Sequence, residues 1–348
     1  MSIVIDGGRV PKLLSRLHGS PASQSARNQT NDAGALRIAL INNMPDSALE
    51  DTEVQFFELL ESAAGDIPLS FKLYSLPNLP RGPAGRQHLD KFYFGMDDLL
   101  NSHFDGAIVT GAEPVQPDLR DEPYWPALTQ LLDWTERNTS STVLSCLAAH
   151  AGVFYSDAIP RHRLPDKQFG VFEYKKSQNH ALTADLGSAM QIPHSRWNEV
   201  RADALTACGY QILTQSANAG VDLFVKKKRD SLFVHFQGHP EYATRTLLKE
   251  FRRDIKRFLR RERETYPTMP VGYFDVAAAK LLSDFRDTVI ANPREQLLAK
   301  FPEAALAAAI QSTWQVSAAT VYRNWLQYLI SRKSAASKFR DVTPAARA

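Results

Sequence analysis

Four short apolar runs, each followed by a turn or by residues at helical spacing, constrain this chain more than any other feature. They are Leu36–Asn42, Leu69–Tyr74, Phe104–Thr110 and Ser141–Ser145. Each is too short for a buried helix and reads as a strand. Helical spacing appears in Leu49–Ser62, through Leu49, Val54, Phe57 and Leu60, and again in Trp125–Arg137. Strands alternating with helices in this way predict an α/β fold with a doubly wound, mostly parallel sheet.

The rest of the chain divides around that core. Residues 1–34 show little periodicity and read as a mobile arm, with a short helix over Pro11–Leu17. Residues 35–265 form the α/β domain. Within it Pro77–Gly85 is a Pro/Gly-rich loop, and the chain turns irregular from Val153 to Tyr174. Met190–Arg196 then reads as a short strand into a turn, and Gln211–Ser216, Val221–Lys226 and Leu232–Phe236 as successive antiparallel strands. Thr244–Arg263 is a long charged helix. A boundary near Tyr266–Pro267 opens a C-terminal helical extension over 266–335, with helices at Asp275–Val289, Arg294–Phe301, Glu303–Thr313 and Ser317–Ser334. Residues 336–348 read as a mobile tail.

Bulk properties exclude several classes. A net charge of +3 over 348 residues is too small to imply nucleic acid or an anionic membrane as partner. Two cysteines, Cys146 and Cys208, make no disulfide framework. No apolar run reaches the ~20 residues of a membrane span. Met1–Ser20 carries no signal-like apolar run, so a cytoplasmic protein is expected.

The junction of the Ser141–Ser145 strand with the helix-prone stretch after it is the first candidate for chemistry. Cys146 stands on it, facing the first free N–H groups of a helix. Their partial positive charge favours a thiolate and can hold a developing oxyanion. A small buried thiol with no chemical role is the plainer alternative. His239-Pro-Glu241 is the second candidate. A base must face the nucleophile, and a carboxylate two residues on can orient its ring. His150, one turn into the helix after Cys146, is a weaker candidate base. His235 and His239 stand at a zinc-binding interval only on a helix. Leu232–Phe236 reads as strand, so no metal site is expected.

Cys146 with His239-Pro-Glu241 on a doubly wound sheet resembles the class I glutamine amidotransferases, a flavodoxin-like architecture. A longer match is to the homoserine O-acyltransferases of the homoserine O-succinyltransferase type. It runs through Leu40-Ile-Asn-Asn-Met-Pro45, Phe104–Ala112, Tyr124-Trp125 and Ser141–Cys146. It continues in Ile159-Pro160, Gly170-Val-Phe-Glu173, Pro193-His-Ser-Arg196, Gly238–Tyr242, Pro270–Phe274 and Asn324–Tyr328. The resemblance implies an acyl-CoA-dependent O-acyltransferase of methionine synthesis that works by ping-pong kinetics through a thioacyl-enzyme on Cys146. His239 would be the base and Glu241 its orienting group. The N–H groups of Leu147 and the Gly111–Ala112 loop would form the oxyanion hole. Glu250, Arg253, Ser195 and Lys167 fall on positions that hold the amino-acid acceptor. Glu250 and Arg253, three apart on one helix face, would by themselves read as a surface ion pair. No bound cofactor is implied beyond acyl-CoA as co-substrate, and a homodimer is expected. Serine acylation and glutaminase activity are the alternatives.

Three stretches depart from the family pattern. The segment after Pro45, Asp46-Ser-Ala-Leu-Glu-Asp-Thr52, is longer and acidic where a basic residue is usual. The loop that selects the acyl group runs Thr110-Gly-Ala-Glu113-Pro-Val115. Phe274–Thr313 is a helical insertion. With acidic walls on both sides and Lys167 the one nearby cation, a neutral acyl group such as acetyl is expected over succinyl.

Overall fold

The computed structural model describes residues 3–5 and 34–341. Its centre is an eight-stranded sheet in the order β1-β3-β2-β4-β5-β12-β11-β8. The strands are β1 (Ile3–Ile5), β2 (Leu36–Ile41), β3 (Leu69–Tyr74), β4 (Gly106–Val109), β5 (Ser141–Ser145), β8 (Gln211–Ile212), β11 (Leu223–Lys228) and β12 (Ser231–Phe236). All neighbours from β1 to β12 pair parallel, while β11 and β8 add on antiparallel. The expected mostly parallel, doubly wound α/β sheet is what forms.

Side chains alternate between two cores, as the period of a strand requires. Leu36, Ile38 and Leu40 of β2 join one core; Ala39 and Ile41 join the other. On the first face lie α1 (Leu49–Ala64) and the long α10 (Gln315–Asp341). On the second lie α3 (Met96–Leu100), α4 (Trp125–Asn138) and α5 (Leu147–Asp157). Among the described residues no helix is long and apolar enough to cross a membrane.

Above the carboxyl ends of the strands sits a second, four-stranded sheet in the order β10-β9-β6-β7. It consists of β6 (His162–Lys176), β7 (Ala189–Glu199), β9 (Thr214–Ser216) and β10 (Gly220–Val221). The stretch that looked irregular up to Tyr174 is therefore the long hairpin strand β6. Pro165 misled, because it lies in Arg163–Gln168, where the register with β7 breaks. Gln211–Ser216 is not one strand either. Leu213 leaves the ladder between β8 and β9, and its N–H donates to Leu223 C=O at 2.9 Å.

Other elements differ at their edges. Ile3–Ile5, placed by its sequence in a mobile arm, pairs with Leu69–Phe71 and supplies the sheet's outer strand. Three apolar residues carry too little periodicity to be seen alone. The helix expected over Pro11–Leu17 lies outside the described residues. α2 (Pro83–Phe92) begins inside the presumed 77–85 loop, with proline at its first turn, where it is tolerated. α6 (Ala202–Ala207) covers the β11 edge. α7 (Thr246–Leu259), α8 (Val276–Ala291) and α9 (Glu303–Ala309) share a third core with Phe169 and Trp314. Residues 295–300 form a 3-10 segment rather than an α-helix. α10 continues through Asp341, past the expected start of the tail. No proline interrupts its Ser/Ala/Lys end before that point.

α10 is part of the central core rather than an appendage. Trp325 is 1% exposed, and its Nε1–H donates to Ser141 Oγ at 2.9 Å. A Cβ on Gly106 would stand 2.8 Å from the Trp325 ring, so glycine alone lets the indole lie flat on β4. Truncating Trp325 to Ala would open a cavity beneath β4 and β5. Urea denaturation should show a loss of about 3–5 kcal/mol.

Candidate active site

β5 ends at Ser145 and α5 begins at Leu147, so Cys146 carries the whole change of direction. Its backbone sits at φ 52°, ψ −112°, a conformation that costs an L-residue on the order of 1–3 kcal/mol. The neighbours hold it there. Cys146 N–H donates to Phe236 C=O at 2.8 Å, and Cys146 C=O accepts from Ala149 and His150 N–H at 3.0 and 3.2 Å. The N–H groups of Leu147 and Ala148 open the helix and have no carbonyl four residues back within it. Gly111 stands against them: a Cβ there would be 3.1 Å from Leu147 N. Any side chain would push the Gly111–Ala112 loop off the helix start.

His239 and Glu241 follow directly from β12, the strand beside β5. Phe236 pairs with Ser145, so the histidine turn emerges next to the cysteine turn. His239 N–H donates to Pro193 C=O at 2.8 Å, which ties the turn to β7. Its Nδ1–H donates to Glu241 Oε1 at 2.8 Å, which leaves Nε2 unengaged by that carboxylate. The ring stacks on Tyr242 with centroids 4.2 Å apart. Burial opposes a charged imidazole, but Cys146 and Glu241 outweigh it and hold the His239 pKa well above its ordinary value. Glu241 also accepts from Ser145 Oγ at 3.4 Å. The structure thus brings Cys146, His239, Glu241, Leu147 and Gly111–Ala112 to one edge of the sheet.

The other histidines are turned to different work. His150 Nε2 meets Gln237 Oε1 at 2.9 Å, and burial brings its pKa down to about 3. It faces away from Cys146 and stays neutral. His235 is buried within β12, stacked on Phe224 at 4.7 Å, and burial lowers it likewise to about 3. Behind the histidine turn, buried Asp222 accepts Gly238 N–H at 2.6 Å. Burial pushes its carboxyl up to about 7. Asp222 carries no motif that would have marked it in the sequence.

The four expected acceptor residues also converge, from three separate elements. Glu250 of α7 accepts from the hydroxyls of Ser195 on β7 and Tyr242, the latter at 2.6 Å. Lys167 of β6 and Arg253 of α7 approach the same carboxylate at 3.6 and 3.7 Å. Asp254, not singled out by sequence, binds Lys167 at 3.1 Å and Arg253 at 3.2 Å. Burial works against its charge, yet these two cations hold its pKa below the ordinary value. Arg253 remains about half exposed. Tyr242 joins this cluster to the His239 ring on which it stacks.

The segment after Pro45, which lacks a cation of its own, gains one in the fold. The acidic segment after Pro45 meets Arg81, which donates to Met44 C=O, to Ser75 Oγ at 3.0 Å, and pairs with Asp46 at 3.3 Å. Arg81 comes from the loop before α2, so only folding brings it here. Glu113 of the acyl loop is likewise paired, with Arg257 at 3.6 Å. The strain at Cys146 has a measurable consequence. Cys146→Gly should unfold at higher denaturant than Cys146→Ala, by about 1 kcal/mol, because glycine accepts the positive φ.

Comparison with known proteins identifies the family. The family model described as homoserine O-succinyltransferase matches residues 12–336. A homoserine O-succinyltransferase of Rhodopseudomonas palustris is 43% identical over 316 residues, covering 90% of this chain and 95% of its own. One from Bradyrhizobium japonicum is 41% identical over 332 residues, covering 94% and 99%. Among solved structures, a glutamine amidotransferase from Thermotoga maritima aligns with TM-score 0.45 at 11% identity, covering 85% of this chain and 98% of its own. With a family model spanning nearly its whole length and relatives this similar, the chain belongs to the homoserine O-succinyltransferase family, a family of acyltransferases.

Proposed function

We propose that this protein transfers the succinyl group of succinyl-CoA to the side-chain hydroxyl of homoserine, through a thioacyl-enzyme on Cys146. The observation that carries this reading is the Cys146–His239–Glu241 chain lying beside a cluster of opposite charges. In the first half-reaction Cys146 gives its thiol proton to His239 and its Sγ attacks the thioester carbonyl. The oxyanion is held by the N–H groups of Leu147 and the Gly111–Ala112 loop. The bond to the CoA sulfur breaks, its electron pair leaves with that sulfur, and His239 returns the proton. In the second, His239 takes the hydroxyl proton of homoserine as its oxygen attacks the acyl carbon, and the Cys146 sulfur departs with its electron pair. Glu241 keeps the ring oriented through both.

The acceptor is zwitterionic, and the cluster offers both signs. Glu250 and the Ser195 hydroxyl suit the ammonium; Arg253 and Lys167 suit the carboxylate. Two observations favour succinyl over the acetyl expected from the acidic walls. Curated relatives carry the succinyl name, and Asp46 and Glu113 are each neutralised by an arginine. Acylation of homoserine activates its hydroxyl for replacement by sulfur, a step of methionine biosynthesis. The relatives' names do not favour serine acylation or a glutaminase.

Mass spectrometry of enzyme mixed with succinyl-CoA alone tests the intermediate. One succinyl mass should appear on the peptide bearing Cys146 and vanish in Cys146→Ala, while Cys208→Ser keeps near-normal turnover. A Cys146→Ala enzyme that turns over normally would sink the mechanism.

A second test separates the half-reactions. Arg253→Ala and Glu250→Ala should raise the homoserine KM roughly tenfold or more, the worth of one charge-assisted hydrogen bond. Thioacyl-enzyme formation should remain nearly intact. Equal loss in both steps would mean that the two residues are structural.

A further inference from the structure

The turn that presents His239 is gripped from behind by groups that the chemistry above leaves unused. Asp222 is the single residue between β10 and β11, where the chain passes from the upper sheet to the central one. It is fully buried. Its carbonyl accepts Gln237 N–H at 3.2 Å, and its carboxylate Oδ1 accepts Gly238 N–H at 2.6 Å. The two backbone N–H groups just before His239 therefore both end on Asp222. The N–H of His239 itself ends on Pro193 C=O.

His194, the next residue of β7, closes on the same turn. Its Nε2 lies 3.6 Å from Asp222 Oδ1, and a Cβ on Gly238 would stand 2.7 Å from that nitrogen. Only glycine lets the imidazole lie so near the turn. On the far side of the ring, Arg196 Nε–H donates to His194 Nδ1 at 3.2 Å. A guanidinium can only donate, so Nδ1 accepts, and the ring is neutral with its proton on Nε2, toward Asp222. Arg196 is buried too, and directs its other N–H groups to Asn198 and Ala219 C=O, each at 2.8 Å. Among the described residues no carboxylate lies within ion-pair distance of it. Arg196, His194 and Asp222 thus form an enclosed line that ends on the His239 turn. Besides His194, the charged and titratable groups that bear on Asp222 are Arg196, His239 and Glu241. Asp222 Oδ2 has no hydrogen-bond partner among the described residues, so the directed contacts of the carboxyl group are those to the turn and to His194. A buried carboxyl kept at such expense in desolvation calls for a reason.

We propose that Asp222 is a positioning residue of the reaction. Its carboxyl group, oriented by His194 and Arg196, fixes the Gln237–Gly238 backbone and with it the place of the His239 ring against Cys146. Glu241 sets the rotation of that ring; Asp222 sets the backbone from which it springs. This rests on the thiol–imidazole mechanism above and extends it to a residue outside the reacting groups.

The test compares wild type, Asp222→Ala and Asp222→Asn, each in a Cys208→Ser background and at a temperature where circular dichroism shows it folded. Asparagine keeps an oxygen for Gly238 N–H; alanine does not. Two readouts are taken: steady-state kinetics with succinyl-CoA and homoserine, and the pH dependence of Cys146 alkylation by iodoacetamide. Asp222→Ala should lower kcat roughly tenfold or more, because a small displacement of the base is costly in rate. The homoserine KM should change less than about threefold. The acid limb of alkylation should move to higher pH, since a displaced imidazole supports the thiolate less. Asp222→Asn should recover most of both losses. Should Asp222→Ala fail to fold, Asp222→Ser, whose shorter side chain withdraws the acceptor, replaces it with the same expectations. A folded alanine variant that only melts earlier, with wild-type kcat and an unmoved acid limb, would make Asp222 merely structural and overturn the proposal. A loss confined to the homoserine KM, or an asparagine variant no better than alanine, would overturn it as well. A wild type that refuses succinyl-CoA, beside an alkylation limb that shifts as expected, would sink the substrate reading and leave this one standing.

Discussion

The parallel pairing of β5 with β12 is the contact on which the rest of the site depends. Ser145 lies opposite Phe236, and the last hydrogen bond of that ladder runs from Cys146 N–H to Phe236 C=O at 2.8 Å. A slip of one residue would turn every side chain of β12 to the other face. It would also carry His239 away from Cys146. Register is well determined here because Val143, Val234 and Phe236 face one core while Leu144 and Phe233 face the other. Burial on both faces of the sheet therefore aligns Cys146 with His239.

On that frame the site divides by charge. Lys167, Glu250, Arg253 and Asp254 gather into one network, joined to His239 through Tyr242. Long side chains held by several partners lose their freedom during folding rather than during binding, which is how a small zwitterion can be held in one orientation. Histidines without a charged partner, His150 and His235, are driven neutral by burial. His239 shares that burial and is held the other way by Cys146 and Glu241. The difference between them is made by neighbours, not by depth.

The second sheet and the α7–α9 core complete the site from above. β6 carries Lys167 and β7 carries Ser195, and His239 N–H is fastened to Pro193 of β7. Val271 adds backbone hydrogen bonds to Phe169 and Val171 of β6 at 2.9 and 2.8 Å. The segment after α7 is thereby stitched to the strand that presents Lys167. Residues spread from β4 to α7 thus meet at one edge.

Local pattern alone located the central strands, α1, α4, α5 and the Cys146 junction, because period and turn chemistry are written in neighbouring residues. The family blocks pointed to His239, Glu241, Glu250, Arg253, Ser195 and Lys167, since each lies in or near a recognisable run. What stayed hidden depended on distant contacts. Ile3–Ile5 becomes a strand only when β3 offers an open edge, and β6 accommodates Pro165 through pairing with β7. Arg81 and Arg161 are unremarkable loop arginines in the sequence. The first reaches Asp46 across 35 positions, and the second meets Pro117 across 44. The sequence by itself determined which elements exist and which chemical groups they carry. Tertiary structure decided which charges are paired and which are not, because electrostatic partners are set by distance in space and by burial, and neither is encoded at the position of any single residue.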